Sequence, residues 1–351
     1  MSLLDRHTAT FAAPAPADLL GLADPPVRSR WRRVLEARGT IDGFDRPLPR
    51  ARITTRDGVR LSGAYLPRDA QRSADGGPVG GPVGGPDGGP VGGPDGGPAG
   101  GAQAGAQPDA RPPGAVRAVD ADAAVLLVHG FGASAAKPAY AALARALSRT
   151  APVLSLDLRG HGASGGACTF GDGEVLDVEA AVAWLAAVGH RRVVAVGASM
   201  GGAAVLGAAA AGAPLAGVVT ISAPARWRDP APPGPLRELE TLWHSPVRRA
   251  LLRAGLRTRL APPSAWSGPQ DPVRSAGALR QPLLVVHAVD DAYFPVSDAH
   301  ALVAATSTSS ALWLAPHGSG HAEDAFSSAA VRAVPAAVAQ VLATGRFPST
   351  P

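Results

Sequence analysis

From Ala121 onward, short and almost wholly apolar runs alternate with alanine-rich stretches. The runs are AAVLLVHG, PVLSLDLRG, VVAVGAS, AGVVTIS, PLLVVHAVD and SALWLAPHG. A strand with one wet face alternates apolar and polar residues. These runs do not, so they read as strands of a parallel sheet covered by helices on both faces. The spacing predicts those helices near Pro138–Ser148, Glu174–Val188, Gly201–Ala211, Ser297–Thr306 and Ala322–Leu342.

The chain ahead of this pattern reads differently. Arg52–Leu66 alternates about Asp57-Gly58, which predicts a hairpin. Val27, Trp31, Val34 and Leu35 share one face of a short helix expected over Pro26–Arg38. Between them and the regular region, Gly-Gly-Pro-X repeats six times from Gly76 to Ala99. A period of four is not the period of three that a collagen helix needs. With so little apolar area to bury, about 69–120 is expected to be a disordered surface insertion. The expected organisation is an N-terminal extension over 1–50 and one α/β domain over 51–351. Ala223–Gln281, rich in Pro, Trp and Arg, interrupts the rhythm.

Composition narrows the field. Apolar residues make up 46% of the 351, enough for a sizeable core. Cys168 is the only cysteine, which excludes an intrachain disulfide and a zinc–cysteine cluster and fits a cytoplasmic setting. The N-terminus lacks a basic start followed by an apolar run, and no stretch approaches about 18 uninterrupted apolar residues, so neither a signal peptide nor a membrane span is expected. Basic residues are almost all arginine, Lys137 being the one lysine. That is the residue usage of a GC-rich bacterial genome, so the net charge of +5 does not point to nucleic acid.

The chemistry centres on Val193–Leu206, VVAVGASMGGAAVL. A strand runs into Gly197-Ala198-Ser199-Met200-Gly201 and then into a small-residue helix. Strand, Gly-X-Ser-X-Gly, helix is a nucleophile elbow: the tight turn lifts the serine off the sheet edge and sets it at a helix start, where negative charge is favoured. Leu126–Gly132 is a strand ending in His-Gly-Phe-Gly, a loop able to aim a backbone N–H at the serine. The N–H groups of Phe131 and Met200 are the candidate oxyanion hole. Val286–Pro295 ends a strand in a loop bearing Asp290 and Asp291. Pro316–His321 follows the last strand and offers a histidine. A serine hydroxyl needs a base, and an imidazole oriented by a buried carboxylate supplies one.

These residues resemble the alpha/beta-hydrolase family. The resemblance covers Arg52–Leu66 and then Ala121 to about Thr344. It rests on His129-Gly130-Phe131-Gly132, on Asp157–Ser164 (DLRGHGAS), on Gly197–Gly201, on the Asp290-Asp291…Pro295 loop and on Gly320-His321. It implies a mostly parallel eight-stranded sheet with a cap inserted after the sixth strand, Val218–Ser222. The cap is then about 223–281. In the family the acid precedes a loop proline by four residues and follows the small strand-end residue by three, which selects Asp291 over Asp290. The family histidine follows small residues, which selects His321 over His317. Ala288 stands where the family usually has glycine.

The implied activity is that of a serine hydrolase on a small-molecule ester, thioester or amide. Ser199 is the nucleophile, His321 the base and Asp291 its orienting acid; no metal or organic cofactor is implied. Acyltransfer, peptidase and carbon–carbon bond hydrolase activities remain alternatives on the same residues, and a non-catalytic ligand-binding module is the alternative from another class. His129 and His161 read as hydrogen-bonded turn residues and His287 as core. The interval 223–281 holds ten Arg against four acidic residues. It reads either as a basic lid for anionic substrates or, preferably, as a helical face with Val247, Leu251 and Leu256 inward and Arg248, Arg249 and Arg253 outward. Trp227, Trp243 and Trp266 line an acyl pocket or anchor the lid.

Overall fold

The computed structural model describes residues 20–21, 50–68, 122–227 and 234–351. The helix expected at Pro26–Arg38 and the insertion 69–120 lie outside the described residues. Among the described residues nine strands form one sheet in the order β1-β2-β3-β5-β4-β6-β7-β8-β9. They are β1 (Leu20–Gly21), β2 (Arg50–Thr54), β3 (Arg60–Leu66), β4 (Ala123–Val128), β5 (Val153–Asp157), β6 (Arg192–Ala198), β7 (Leu215–Ile221), β8 (Leu283–Ala288) and β9 (Ser310–Ala315). Eight are the expected strands; the ninth is the two-residue β1 on the edge. The β2–β3 hairpin pairs antiparallel with β5, while β5, β4, β6, β7, β8 and β9 run parallel.

Burial explains the continuous apolar runs. All six residues of β4 are buried. Successive side chains leave a strand on opposite faces. Accordingly Leu126 and Val128 join one core cluster with Leu154, Trp184 and Leu206, while Val125 and Leu127 join a second with Val194, Trp313 and Val338. The outer β2 buries only alternate residues, as an edge strand with one wet face does.

Helices α1 (Pro138–Ser148), α2 (Glu174–Ala187) and α3 (Met200–Ala210) connect the central strands. After β7 come α4 (Gly234–His244), α5 (Pro246–Gly255) and α6 (Pro272–Gly277), and α7 (Val296–Ala305) lies between β8 and β9. The helix expected over Ala322–Leu342 is broken into three pieces. A 3-10 helix covers Ala322–Ser327, α8 covers Ala329–Arg332 and α9 covers Val334–Thr344. Ser328 is extended and caps α8, its Oγ accepting the Val331 N–H. Pro335, which cannot donate to a preceding turn, stands in the first turn of α9.

The cap departs from expectation. Neither α4 nor α5 has a buried residue. Val247, Leu251 and Leu256, expected to turn inward, are 68%, 66% and 58% exposed. Helical periodicity put Val247 and Leu251 on one face, but among the described residues nothing packs over it. The cap is held instead by its return strand. Arg259 N–H donates to Gly160 O, Cys168 N–H to Arg259 O and Ala261 N–H to Cys168 O, stitching it to the loop after β5. Among the described residues no helix is long and apolar enough to cross a membrane.

Candidate active site

β4 is the switch point of the sheet: its neighbours β5 and β6 lie on opposite sides. Loops leaving such a point diverge and open a crevice at the strand ends. The loop after β4 carries Phe131, and the turn after β6 carries Ser199.

Ser199 adopts φ 52° and ψ −123°, a left-handed conformation that costs an L-residue about 1–3 kcal/mol unless its surroundings impose it. They do. Ser199 N–H donates to Ile221 O at 2.8 Å, and Ser199 O accepts Gly202 N–H at 2.9 Å. A Cβ on Gly197 would sit 2.5 Å from Gly201 O, and one on Gly201 would sit 2.4 Å from His129 O. The two glycines therefore permit different contacts: Gly197 lets the turn close on itself, and Gly201 lets the new helix press against the end of β4.

His321 follows β9. Its Nε2 lies 2.9 Å from Ser199 Oγ, and its Nδ1 lies 2.8 and 2.9 Å from the two Asp291 oxygens. A carboxylate only accepts, so Nδ1 carries the hydrogen and Nε2 presents its lone pair to the serine hydroxyl. The Asp291 side chain is fully buried and that of His321 is 14% exposed. Asp291 Oδ1 also accepts Tyr293 N–H at 2.9 Å and Phe294 N–H at 3.1 Å. Burial pushes the Asp291 carboxyl up, but the His321 contact and these two amides outweigh it and hold its pKa below the ordinary carboxylate value. Tyr293 and Phe294 flank the imidazole, with ring centroids 4.4 and 5.4 Å away.

The rival residues point elsewhere. Asp290 accepts Gly318 N–H at 2.5 Å and lies 4.0 Å from His317, whose side chain is 86% exposed. His287 is buried in β8 behind Asp291, its Nε2 bonded to Phe294 O at 3.0 Å and 3.9 Å from Asp291 Oδ2, away from Ser199 Oγ, which His321 contacts. His129 and His161 brace the loop after β4. His129 Nε2 accepts Leu158 N–H and His161 Nε2 accepts Gly132 N–H, so each Nδ1 donates, to Gly130 O and Arg159 O respectively. Burial drives both towards the neutral form, His129 to a pKa of about 4 and His161 to about 3.

The loop they brace passes beside the serine: a Cβ on Gly130 would lie 3.1 Å from Ser199 Cβ. Gly130 N–H is occupied by Tyr140 Oη at 3.0 Å, and the next amide is that of Phe131. Met200 is the first residue of α3, where an N–H has no intrahelical acceptor. An aromatic row runs from this loop into the cap. Phe131 lies tilted against Phe170 (ring centroids 5.0 Å apart), and Phe170 meets Trp243 (4.9 Å) and Trp243 meets Trp266 (6.0 Å) edge to face. The indole N–H groups of Trp227 and Trp243 donate within the cap, to the carbonyls of Gln270 and Ala261, whereas that of Trp266 donates outside it, to Phe170 O, and ties the cap to the loop before α2.

Sequence reasoning passed over two supports of the site. Ser222, the residue just after β7, takes φ 53°, and its Oγ accepts the N–H of Ala322, itself at φ 50° and adjacent to His321. Nothing in strand periodicity marks such a residue. Lys137, ahead of α1, ion-pairs with Glu323, two residues beyond His321. Among the described residues no group of three His, Cys, Asp or Glu is placed to hold a metal ion.

Comparison with known proteins agrees with this architecture. No curated protein matches the sequence. Among solved structures, the esterase Pf2001 of Pyrococcus furiosus superposes with a TM-score of 0.52 at 18% identity, covering 91% of this chain and 98% of its own. The esterase RhEst1 of Rhodococcus sp. ECU1013 gives 0.52 at 18% identity, covering 84% and 99%. DcsB in complex with a substrate analogue gives 0.54 at 13%, covering 85% and 100%. At these identities the likeness is one of fold. A family model described as alpha/beta hydrolase family matches residues 125–345, from within β4 to the end of α9, and the chain belongs to that family.

Proposed function

We propose that this hydrolase-family protein is a serine hydrolase that cleaves an ester, thioester or amide through an acyl-enzyme on Ser199. The observation that carries the proposal is the relay Asp291–His321–Ser199, with contacts of 2.8 Å and 2.9 Å on opposite nitrogens of one ring. Ser199 Oγ attacks the substrate carbonyl and its proton passes to His321 Nε2. The carbonyl oxygen, now negative, accepts hydrogen bonds from the amides of Phe131 and Met200 at the positive end of α3. As the bond to the leaving group breaks, His321 gives that group its proton. Water then adds to the acyl carbon, again losing a proton to His321, and the Ser199 ester breaks with return of the proton to Oγ. Asp291 stays ionised throughout and fixes the ring tautomer.

The test is covalent labelling. A fluorophosphonate labels Ser199 alone, and Ser199→Ala abolishes both labelling and hydrolysis of p-nitrophenyl esters while far-ultraviolet circular dichroism is kept. Labelling that survives Ser199→Ala overturns the assignment.

A further inference from the structure

The cap holds cations that this chemistry does not use. From Ser245 to Leu260 the sequence has five arginines and no acidic residue. Three of them, Arg253, Arg257 and Arg259, line one open cleft of about 160 Å3 with Gly162. Gly162 follows His161, whose Nε2 accepts the Gly132 N–H of the loop beside Ser199. Leu256, next to Arg257, reaches the same glycine: a Cβ on Gly132 would meet Leu256 Cδ1 at 3.9 Å. The cleft therefore borders the rim of the candidate active site.

Its arginines are arranged rather than scattered. Arg259 is fixed, with Nε donating to Gly166 O at 2.9 Å and Nη2 to Ser164 O. Arg257 takes φ 55° just beyond the end of α5. That left-handed position after a helix is usually glycine, because a side chain there is strained. The C-terminus of α5 offers only about half a negative charge, too little to balance three guanidinium groups. Among the described residues none of the three pairs with a carboxylate. Guanidinium forks match the oxygens of carboxylates and phosphates.

We propose that the cleft binds an anionic group, a carboxylate or phosphate, on the acyl substrate at a distance from the carbonyl that reacts. The proposal rests on the hydrolase assignment above and names its substrate class. An anionic lipid surface is the competing ligand, since Val247 and Leu251 are exposed on α5. The soluble anion is favoured because Arg253, Arg257 and Arg259 line a concavity.

Two arms test it on the full chain. First, the native protein is assayed with mono-p-nitrophenyl glutarate and with neutral p-nitrophenyl valerate. The ratio of their kcat/KM values falls about tenfold or more in the double variant Arg253→Gln/Arg257→Gln, through KM, and the native ratio falls as salt is raised. Second, inorganic phosphate is titrated calorimetrically into Ser199→Ala, and its Kd rises at least as much when both arginines are also replaced. An unchanged ratio together with unchanged phosphate binding overturns the proposal. So does sedimentation with phosphatidylserine vesicles that needs both arginines while soluble phosphate does not bind. If the native protein cleaves neither ester and a fluorophosphonate does not label Ser199, the hydrolase assignment fails, and the phosphate titration still decides the cleft.

Discussion

Asp290 and Asp291 are adjacent, chemically identical and differently placed, so exchanging each for asparagine isolates position from chemistry. In Asp291→Asn the amide oxygen can keep the Tyr293 and Phe294 N–H groups, now on Oδ1 at 2.9 and 3.1 Å. The amide nitrogen then faces His321 Nδ1, 2.8 Å away in the native protein. An NH2 group cannot accept, and the amide oxygen at the Oδ1 place, though 2.9 Å from Nδ1, already holds two backbone N–H groups, so the favoured tautomer has Nδ1 accepting from the NH2 and the ring hydrogen on Nε2. The ring then donates to Ser199 Oγ instead of accepting from it, and the base is lost. The same tautomer error in serine proteases lowers kcat about 10⁴-fold, equivalent to about 5 kcal/mol of transition-state stabilisation. Among the described residues the Asp290 carboxylate holds the Gly318 amide and an exposed His317 at 4.0 Å. Asp290→Asn therefore lowers kcat by about tenfold or less. Stopped-flow acylation with p-nitrophenyl acetate and fluorophosphonate labelling rates measure both variants, with melting temperature as the folding control. A crippled Asp290→Asn beside a mild Asp291→Asn would refute the reasoning.

Two further outcomes follow from the packing around the site. His129 and His161 are held neutral at about 4 and about 3, whereas an unfolded histidine binds a proton near pH 6.5. Below about 6.5 the unfolded chain binds more protons than the folded one, so this stability is complete above that pH and is lost as pH falls towards those values. By pH 5 each histidine costs about 2 kcal/mol, read as a drop in the urea midpoint between pH 7.5 and 5; equal midpoints contradict it. Gly201→Ala puts a Cβ 2.4 Å from His129 O, and relief to 3.0 Å or more must part the elbow from the end of β4. Unfolding free energy drops by about 1–3 kcal/mol and kcat falls by about 10²-fold; urea titration and ester hydrolysis measure the two, and native-like values for both contradict the contact.

Local chemistry was the readable part of this fold. α1 begins at Pro138, as a proline at the first helical turn signals, and runs to Ser148. The elbow announces itself because glycine, serine and glycine are needed at fixed offsets between a strand and a helix. Partners distant in sequence were not readable. Ser222 and Ala322 are a hundred residues apart, and nothing local says that one carries the hydroxyl that receives the other's amide. The break at Ser328 was hidden by the alanines on either side, which sustain an apparent helical pattern past the cap. The cap failed for another reason. Periodicity groups Val247 with Leu251, but only the rest of the protein decides whether such a face is covered.

Lys137 has a practical bearing on how this protein is handled. It is the single lysine of 351 residues, its side chain is 41% exposed, and its ammonium group joins the segment ahead of α1 to Glu323 beyond His321. Amine-directed reagents therefore have one side-chain target, and it bridges the two loops that meet at the serine. Acylation there removes the charge that Glu323 binds, so coupling to an amine-reactive support would fasten many molecules by the rim of the candidate active site. Thiol chemistry offers no substitute, because Cys168 is fully buried.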